Sequence, residues 1–232
     1  MREIVFDTET TGLSFSGGDR LVEIGCVELV NRVPTGRTFH AYLNPERDMP
    51  AEAFKVHGLS AVFLSDKPLF HEVVEDLLDF IGDGDCPLVA HNAGFDFGFL
   101  NGELGRCGRP VVAMDRMVDT LVIARTRHPG AKHTLDALCA RYGIDLSART
   151  LHGALLDAQL LAQVYVELTG GRQITMGLSV DTPALRETPQ EARTHVHVRP
   201  ARHFTPSEAE LERHASFLKL VEEPLWGTAA SG

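Results

Sequence analysis

The chain contains no uninterrupted apolar run approaching the ~20 residues of a membrane-spanning helix, and a membrane span is not expected. It is poor in cysteine, with four residues at 26, 86, 107 and 139. Those gaps fit neither zinc-ligand spacing nor a dense disulfide framework, so reduced, packed thiols are expected. Positive charge is also scarce: 22 Lys+Arg against 32 Asp+Glu leave a formal charge of −10 over 232 residues. That balance argues against gripping nucleic acid by bulk charge. It leaves open a protein that holds nucleic acid locally through metal ions, or one to which a partner delivers it. The first residues, Met1-Arg2-Glu3-Ile4-Val5-Phe6-Asp7, show no long apolar run and no small-residue cleavage site. A secretory signal is therefore not expected, and a cytoplasmic location is.

What is present is an ordinary globular composition, 44% hydrophobic and 23% charged, at a length that supports a sizeable core. Residues 4–6, 21–30 and 38–43 read as strands, with turn chemistry over 31–37. After them Phe70, Val73, Val74, Leu77, Leu78 and Ile81 recur at helical spacing. A strand is expected at 87–90 and helices at 95–104, 121–124, 135–142 and 154–168. Strands first, then alternating strand and helix, predict an α/β mixed sheet flanked by helices, with an antiparallel meander at its start. The composition shifts at Gly170-Gly171. Residues 1–170 are expected to form one domain, 171–205 a flexible linker too poor in large apolar groups to fold, and 206–232 a short helical tail of the kind that binds a partner.

The chemistry rests on scattered carboxylates. Asp7 and Glu9 flank Thr8, and in an extended chain they share one face. At the end of a buried strand two such acids repel, at a cost of several kcal/mol, roughly, unless one is protonated or a cation lies between them. Taken alone, the more ordinary reading is a turn cap and a solvated acid. Asp96 falls in the first turn of the helix after His91-Asn92-Ala93-Gly94-Phe95, where an acid is normal by the helix dipole. Asp157 borders the apolar stripe of the helix at 154–168 and needs a partner there. His152, five residues earlier and about 140° beyond one turn, does not share its face. It fits better on the preceding loop, over the same site. Jointly these residues can converge on one sheet edge, and hard oxygen ligands select Mg²⁺ or Mn²⁺. A pair of such ions is one solution for phosphodiester cleavage.

Phe6-Asp7-Thr8-Glu9-Thr10-Thr11-Gly12, His91-Asn92-Ala93-Gly94-Phe95-Asp96 and His152-Gly153-Ala154-Leu155-Leu156-Asp157-Ala158 resemble, in order and spacing, the three motifs of the DEDD exonuclease superfamily, His variety. Stretches 52–58, 134–142 and 149–153 are similar to the proofreading branch that serves bacterial DNA polymerase III. The resemblance spans about residues 3–171 and resumes at the C-terminus. It implies a ribonuclease-H-like fold and removal of nucleotides from a DNA 3′ end, with release of 5′-mononucleotides. Asp7, Glu9, Asp96 and Asp157 would hold two divalent cations, Mg²⁺ or Mn²⁺, and His152 would act as general base. Glu9, Thr10, Gly12, Leu13, Glu52, His57, Asn92, Phe95 and Asp157 would meet the substrate, Leu13 as a wedge beside the last base. A basic stretch, Arg125, Arg127, Lys132 and His133, reads either as a contact for the strand's phosphates or as an ordinary solvated loop.

The tail adds partner signals by the same resemblance. Gln173, Met176 and Leu178 lie in a short peptide similar to those that dock on the bacterial sliding clamp (beta). Leu218, Leu220, Val221, Leu225 and Trp226 would tie the protein to the polymerase III catalytic (alpha) subunit, and the sequence leaves open a small third core subunit. Two other readings remain at this point. One is an exonuclease of the same superfamily trimming RNA 3′ ends, which would use identical catalytic residues. The other is a non-catalytic polymerase adaptor.

Overall fold

In the computed structural model of the chain, which describes residues 1–82, 84–147, 149, 151–170 and 205–220, strand β1 (Arg2–Thr10) is the axis of a five-stranded sheet. Strand β2 (Leu21–Val30) pairs with it antiparallel, and β3 (Val33–Tyr42) pairs antiparallel with β2. On the other side β4 (Leu88–Ala90) runs parallel to β1, and β5 (Met117–Asp119) parallel to β4. The order is β3-β2-β1-β4-β5. The mixed meander-plus-parallel sheet expected from the sequence is therefore present.

Three details differ from the expectation. β1 continues through Asp7 and Glu9, so both acids lie inside the strand. The turn expected over 31–37 shrinks to Asn31 and Arg32, whose φ values of 51° and 64° make the left-handed two-residue hairpin that matches strand twist. Pro34 and Gly36, read as turn residues, lie in β3 instead; β3 is a sheet edge, where a missing ladder donor is tolerated. β5 and the short helices α1 (Ala51–His57) and α2 (Ala61–Leu64) have no counterpart in the expectation, being too brief to show a period.

Strand alternation sorts the two layers. Ile4 and Phe6 face the helices α3 (Phe70–Ile81) and α4 (Gly94–Arg106), in a core that includes Leu77, Phe97 and Leu100. Val5 faces the opposite layer and packs on Ala158, Leu161 and Tyr165 of α7 (Ala154–Leu168). Each large apolar side chain buried in this way contributes roughly 1.5–3 kcal/mol. Helices α5 (Thr120–Arg127) and α6 (Leu135–Tyr142) complete the α7 layer through Ala124 and Leu138. By the same alternation Glu3 points at α7, where the Tyr165 hydroxyl donates to its Oε1 at 2.7 Å. Asp7 and Glu9 share the parity of Val5. Thr8 has the parity of Phe6 and faces α4.

The chain divides into two units, Met1–Ser179 and Val180–Gly232. In the second, α8 (Glu208–Leu218) lies where the sequence implied a short helix; it starts at a Ser207–Glu210 capping box and leaves Leu211 and Phe217 exposed. Leu218 is half-buried and Leu220 exposed. Gln173, Met176, Leu178, Val221, Leu225 and Trp226 lie outside the described residues. No helix among the described residues is long and apolar enough to cross a membrane.

Candidate active site

The motifs meet at the carboxyl ends of the parallel strands β1 and β4, the usual position for a ligand site in an open α/β sheet. β1 brings Asp7 and Glu9 to the α7 face. Opposite them in register stand Gly25 and Glu23 of β2, and the pairing slips between Glu9 and Thr10. Such irregularities re-aim a strand beside a site. Gly25 lets α7 come down onto the sheet: a Cβ on it would lie 2.3 Å from the Leu155 backbone nitrogen. That contact sets the first turn of α7, and with it Asp157, beside Asp7. Asp96 arrives from the other layer in the first turn of α4, where Phe97 packs edge-on against Phe6, ring centroids 5.7 Å apart. The Thr8 hydroxyl donates to Asp96 Oδ1 at 2.7 Å, a buried bond that orients the carboxylate. His152 stands on the loop before α7, as the 140° argument requires, and its backbone N–H reaches the Val56 carbonyl at 3.3 Å.

Ligand atoms of Glu9, His152 and Asp157 lie within 4.8 Å of one another. Two ionised carboxylates at that separation repel by about 3–4 kcal/mol at an effective dielectric of 20. The titration behaviour follows from this crowding. Burial first, then Glu23, Asp157 and Asp96, pushes Glu9 from its ordinary 4.5 up to about 8. Asp96 is pushed up to about 7 by burial, against the Thr8 hydrogen bond. Asp7, which is half-buried, is raised well above the carboxylate range by desolvation and by Asp96, Glu9 and Asp157.

Arg149 is the one cation in hydrogen-bond contact with this cluster among the described residues. It donates to both Asp157 oxygens at 2.6 and 2.7 Å, to Asp136 at 2.6 Å and to His152 Nδ1 at 2.8 Å. Guanidinium nitrogens only donate, so Nδ1 accepts there. One guanidinium does not neutralise four acids. The donor set, carboxylate oxygens with one imidazole and an excess of negative charge, fits hard divalent cations. Arg149 opens the stretch 149–153 that carried the resemblance, but its role was not legible there, because an arginine on a loop has no period and its carboxylate partner lies eight residues on.

The cluster's charge has a pH signature. The folded protein binds protons on Glu9 and Asp96 that the unfolded chain releases near pH 4, so this stability is full at low pH and lost as pH rises through about 7 to 8. His57 and His91, both lowered chiefly by burial, act in the opposite sense but only up to their ordinary 6.5. In chelator the melting temperature should therefore fall between pH 6.5 and 8. The gap between Mg²⁺ and chelator curves should widen over the same interval, and parallel curves would contradict a cation role for these acids.

Beside the cluster opens a cavity of about 510 Å³, the size class of a small-ligand site. Glu9, Thr10, Gly12, Leu13, Glu52, His57 and Phe95 line it, so seven of the residues singled out in the sequence come together. Leu13 stands 87% exposed on its rim. His57 ends α1 and is buried; its Nδ1 accepts from the Leu59 N–H at 3.1 Å. Its Nε2 lies near the Thr10 backbone with no hydrogen bond of good geometry, a buried donor without a partner at the cavity wall. Asn92 is not part of the lining. It holds a left-handed turn, φ 63°, between β4 and α4, where its N–H reaches Asp119 at 3.0 Å. In the basic stretch Arg127 caps the Leu168 carbonyl and His133 the His128 carbonyl, while Arg125 and Lys132 are exposed.

An exonuclease family model (RNase_T) matches residues 4–165. The chain is 49% identical over 227 residues to the DNA polymerase III subunit epsilon of Rickettsia felis, covering 95% of this chain and 97% of the relative. It is 44% identical to the Escherichia coli protein of the same name, covering 96% and 94%. Its fold is similar to the nuclease domain of 3′hExo, described as a DEDDh family member bound to rAMP. That match has a TM-score of 0.62 at 16% identity and covers 72% of this chain and 91% of the other.

Proposed function

The chain belongs to the exonuclease family, in the branch of the DNA polymerase III epsilon subunits, and we propose from that membership how its site works and with whom. It is a 3′→5′ proofreading exonuclease of DNA polymerase III. The observation that carries the mechanism is the buried carboxylate cluster beside a nucleotide-sized cavity. Asp7, Glu9, Asp96 and Asp157 hold two divalent cations, Mg²⁺ or Mn²⁺. Such cations neutralise the cluster and activate water for attack on phosphorus. Thr8 keeps Asp96 turned inward. His152, whose Nδ1 lies 3.2 Å from Asp157, would take the proton of the attacking water. Histidine is the side chain type suited to proton transfer near neutral pH. Arg149 holds both Asp157 oxygens and His152 Nδ1, so loading of Asp157 competes with it. Glu52 and the free His57 Nε2 meet the terminal sugar and phosphate, Thr10 and Gly12 form the backbone wall, and Leu13 and Phe95 bracket the base. Asn92 and the exposed Arg125 and Lys132 follow the incoming strand.

We further propose that residues 1–170 form the exonuclease domain and 171–205 a linker carrying the clamp-binding peptide at Gln173, Met176 and Leu178. Residues 206–232 would dock on the alpha subunit through Leu218, Leu220, Val221, Leu225 and Trp226. Support for the tail is that α8 leaves the large apolar side chains of Leu211 and Phe217 exposed. A tether of this kind supplies the 3′ end at high effective concentration to an acidic protein, which works in the cytoplasm with the replisome.

Matched DNA and RNA oligonucleotides in Mg²⁺ test the reading. The DNA should be shortened from its 3′ end with release of 5′-mononucleotides. Exclusive turnover of RNA would transfer the assignment to an RNA trimmer, and no turnover of either to an adaptor. In the same assay the chain ended after Gly171 should keep its activity on short single strands and lose binding to the polymerase subunit; tight binding by the shortened chain would rule out the tail as tether.

A further inference from the structure

Leu13 is carried by the loop between β1 and β2, and that loop is built around one side chain, Asp19. The Asp19 carboxylate accepts the Ser14 N–H at 3.1 Å and the Thr11 hydroxyl at 3.2 Å. The Gly12 backbone lies directly over it, so that a Cβ on Gly12 would be 2.3 Å from Asp19 Oδ2. Asp19 thus sets the loop from inside, and it also lines the nucleotide-sized cavity.

The loop does not stand alone. Arg47, from the segment between β3 and α1, donates to Asp19 Oδ1 at 2.9 Å and to the Gly18 carbonyl. The residue before it, Glu46, has φ 53°, a left-handed conformation that is uncommon for a residue with a side chain. An Asx turn sustains it: Asn44 Oδ1 accepts the Glu46 N–H at 2.9 Å, and Asn44 Nδ2 is tied to the Ser65 carbonyl at 3.2 Å. Strain held by its surroundings is found where a position is used. Here it turns the chain so that Arg47 reaches the loop, four residues before α1 begins with Glu52 in its first turn. One wall of the cavity is Gly12 and Leu13; the facing wall is Glu52, Ala53, Val56 and His57. Arg47 and Asp19 join them.

We propose that Asp19 and Arg47 form a clamp that fixes the width of the terminal-nucleotide cavity, with both acting as positioning residues for Leu13 against α1. The inference rests on the reading of that cavity as the site of the 3′-terminal nucleotide. Neither residue touches the carboxylate cluster in any hydrogen bond or ion pair described, so the clamp acts on how the end is held and not on the hydrolytic step.

Steady-state kinetics of the full chain on a single-stranded DNA 3′ end in Mg²⁺ test it, with Arg47→Gln, Asp19→Asn and the double variant. Arg47 is part-exposed and its loss does not threaten the core; melting curves verify this. Arg47→Gln should raise KM by about threefold to tenfold, with kcat within about twofold of wild type. Asp19→Asn should raise KM similarly, and the double variant no further than the larger single one, as coupled residues do. Arg47→Lys should recover part of the loss. Unchanged KM in both single variants, or effects that multiply in the double variant, would overturn the clamp. Leu13→Ala separates the two claims. If it raises KM while the clamp variants do not, only the clamp falls. If it too leaves KM unchanged, the reading of the cavity falls and the clamp with it.

Discussion

An Asp7→Asn variant is expected to lose about 10³-fold or more in turnover on a single-stranded DNA 3′ end while its metal-free form melts no lower than wild type. The cause is electrostatic. Asp7 lies among Asp96, Glu9 and Asp157, all of which raise its proton affinity. On the proposed reading the cluster is unfavourable by itself and cations rescue it, so an isosteric neutral residue should relieve the apo protein while removing a proposed ligand from the loaded one. Losses of two to three orders of magnitude follow removal of a single group that stabilises the transition state, and a carboxylate amid three others should stand at the top of that range. Asp157→Ala should act alike on turnover; there the apo protein has more to lose, because Arg149 would keep only Asp136 as a carboxylate partner. The measurement pairs initial rates in Mg²⁺ with melting curves in chelator. Turnover within tenfold of wild type in Asp7→Asn would remove Asp7 from the ligand set.

The second large effect is expected at a residue with no chemistry. Gly25→Ala should cost about 3 kcal/mol or more of stability and about 10²-fold or more of activity. Its Cβ would stand 2.3 Å from Leu155 N, 2.4 Å from Leu155 Cα and 2.5 Å from the Ala154 carbonyl carbon, all backbone. Side chains could turn aside; backbone cannot, so α7 must lift off the sheet. Overpacking of this kind costs roughly 1–3 kcal/mol or more. Asp157 rides in the same helical turn, and Gly25 is the register partner of Asp7, so the lift opens the gap that the cluster spans. A displacement of about 1 Å in a reacting constellation is enough for a hundredfold loss. Gly105→Ala is the contrast. It lies in α4 with nothing within 4 Å of the added Cβ, and there the same substitution should stabilise by roughly 0.5–1 kcal/mol. Denaturant midpoints and kcat for both variants decide the point. A Gly25→Ala protein of near wild-type stability would mean that α7 does not rest on β2 as described.

Much of this architecture can be read from the chain because its signals are local. Phe70 to Ile81 shows its helical period, and that helix runs over those residues. Ala154 to Leu168 likewise. The motif residues Asp7, Glu9, Asp96, His152 and Asp157 announce themselves by type and order. Where reading fails, the failing signal is context-dependent. Pro34 and Gly36 mark a turn in isolation, but at a sheet edge they cost little, and β3 absorbs them. The three-residue β5 has no length over which a period can appear; it exists because β4 offers it a free edge. Arg149, Asp19 and Arg47 are single polar residues on loops, and their roles come from partners that include groups eight and twenty-eight positions away.

The sequence by itself determined the chemical class: hard oxygen ligands with an imidazole, on strand and helix segments that alternate in an α/β pattern, in a chain too acidic to hold DNA by charge alone. Side-chain type and short-range periodicity are properties of the chain, and they survive without coordinates. Tertiary structure decided the rest. It placed Thr8 behind Asp96, Arg149 across Asp157 and His152, and α7 on the bare backbone of Gly25. It also brought Arg47 onto Asp19. Those are distances between groups remote along the chain, and only packing of the two layers on one sheet sets them.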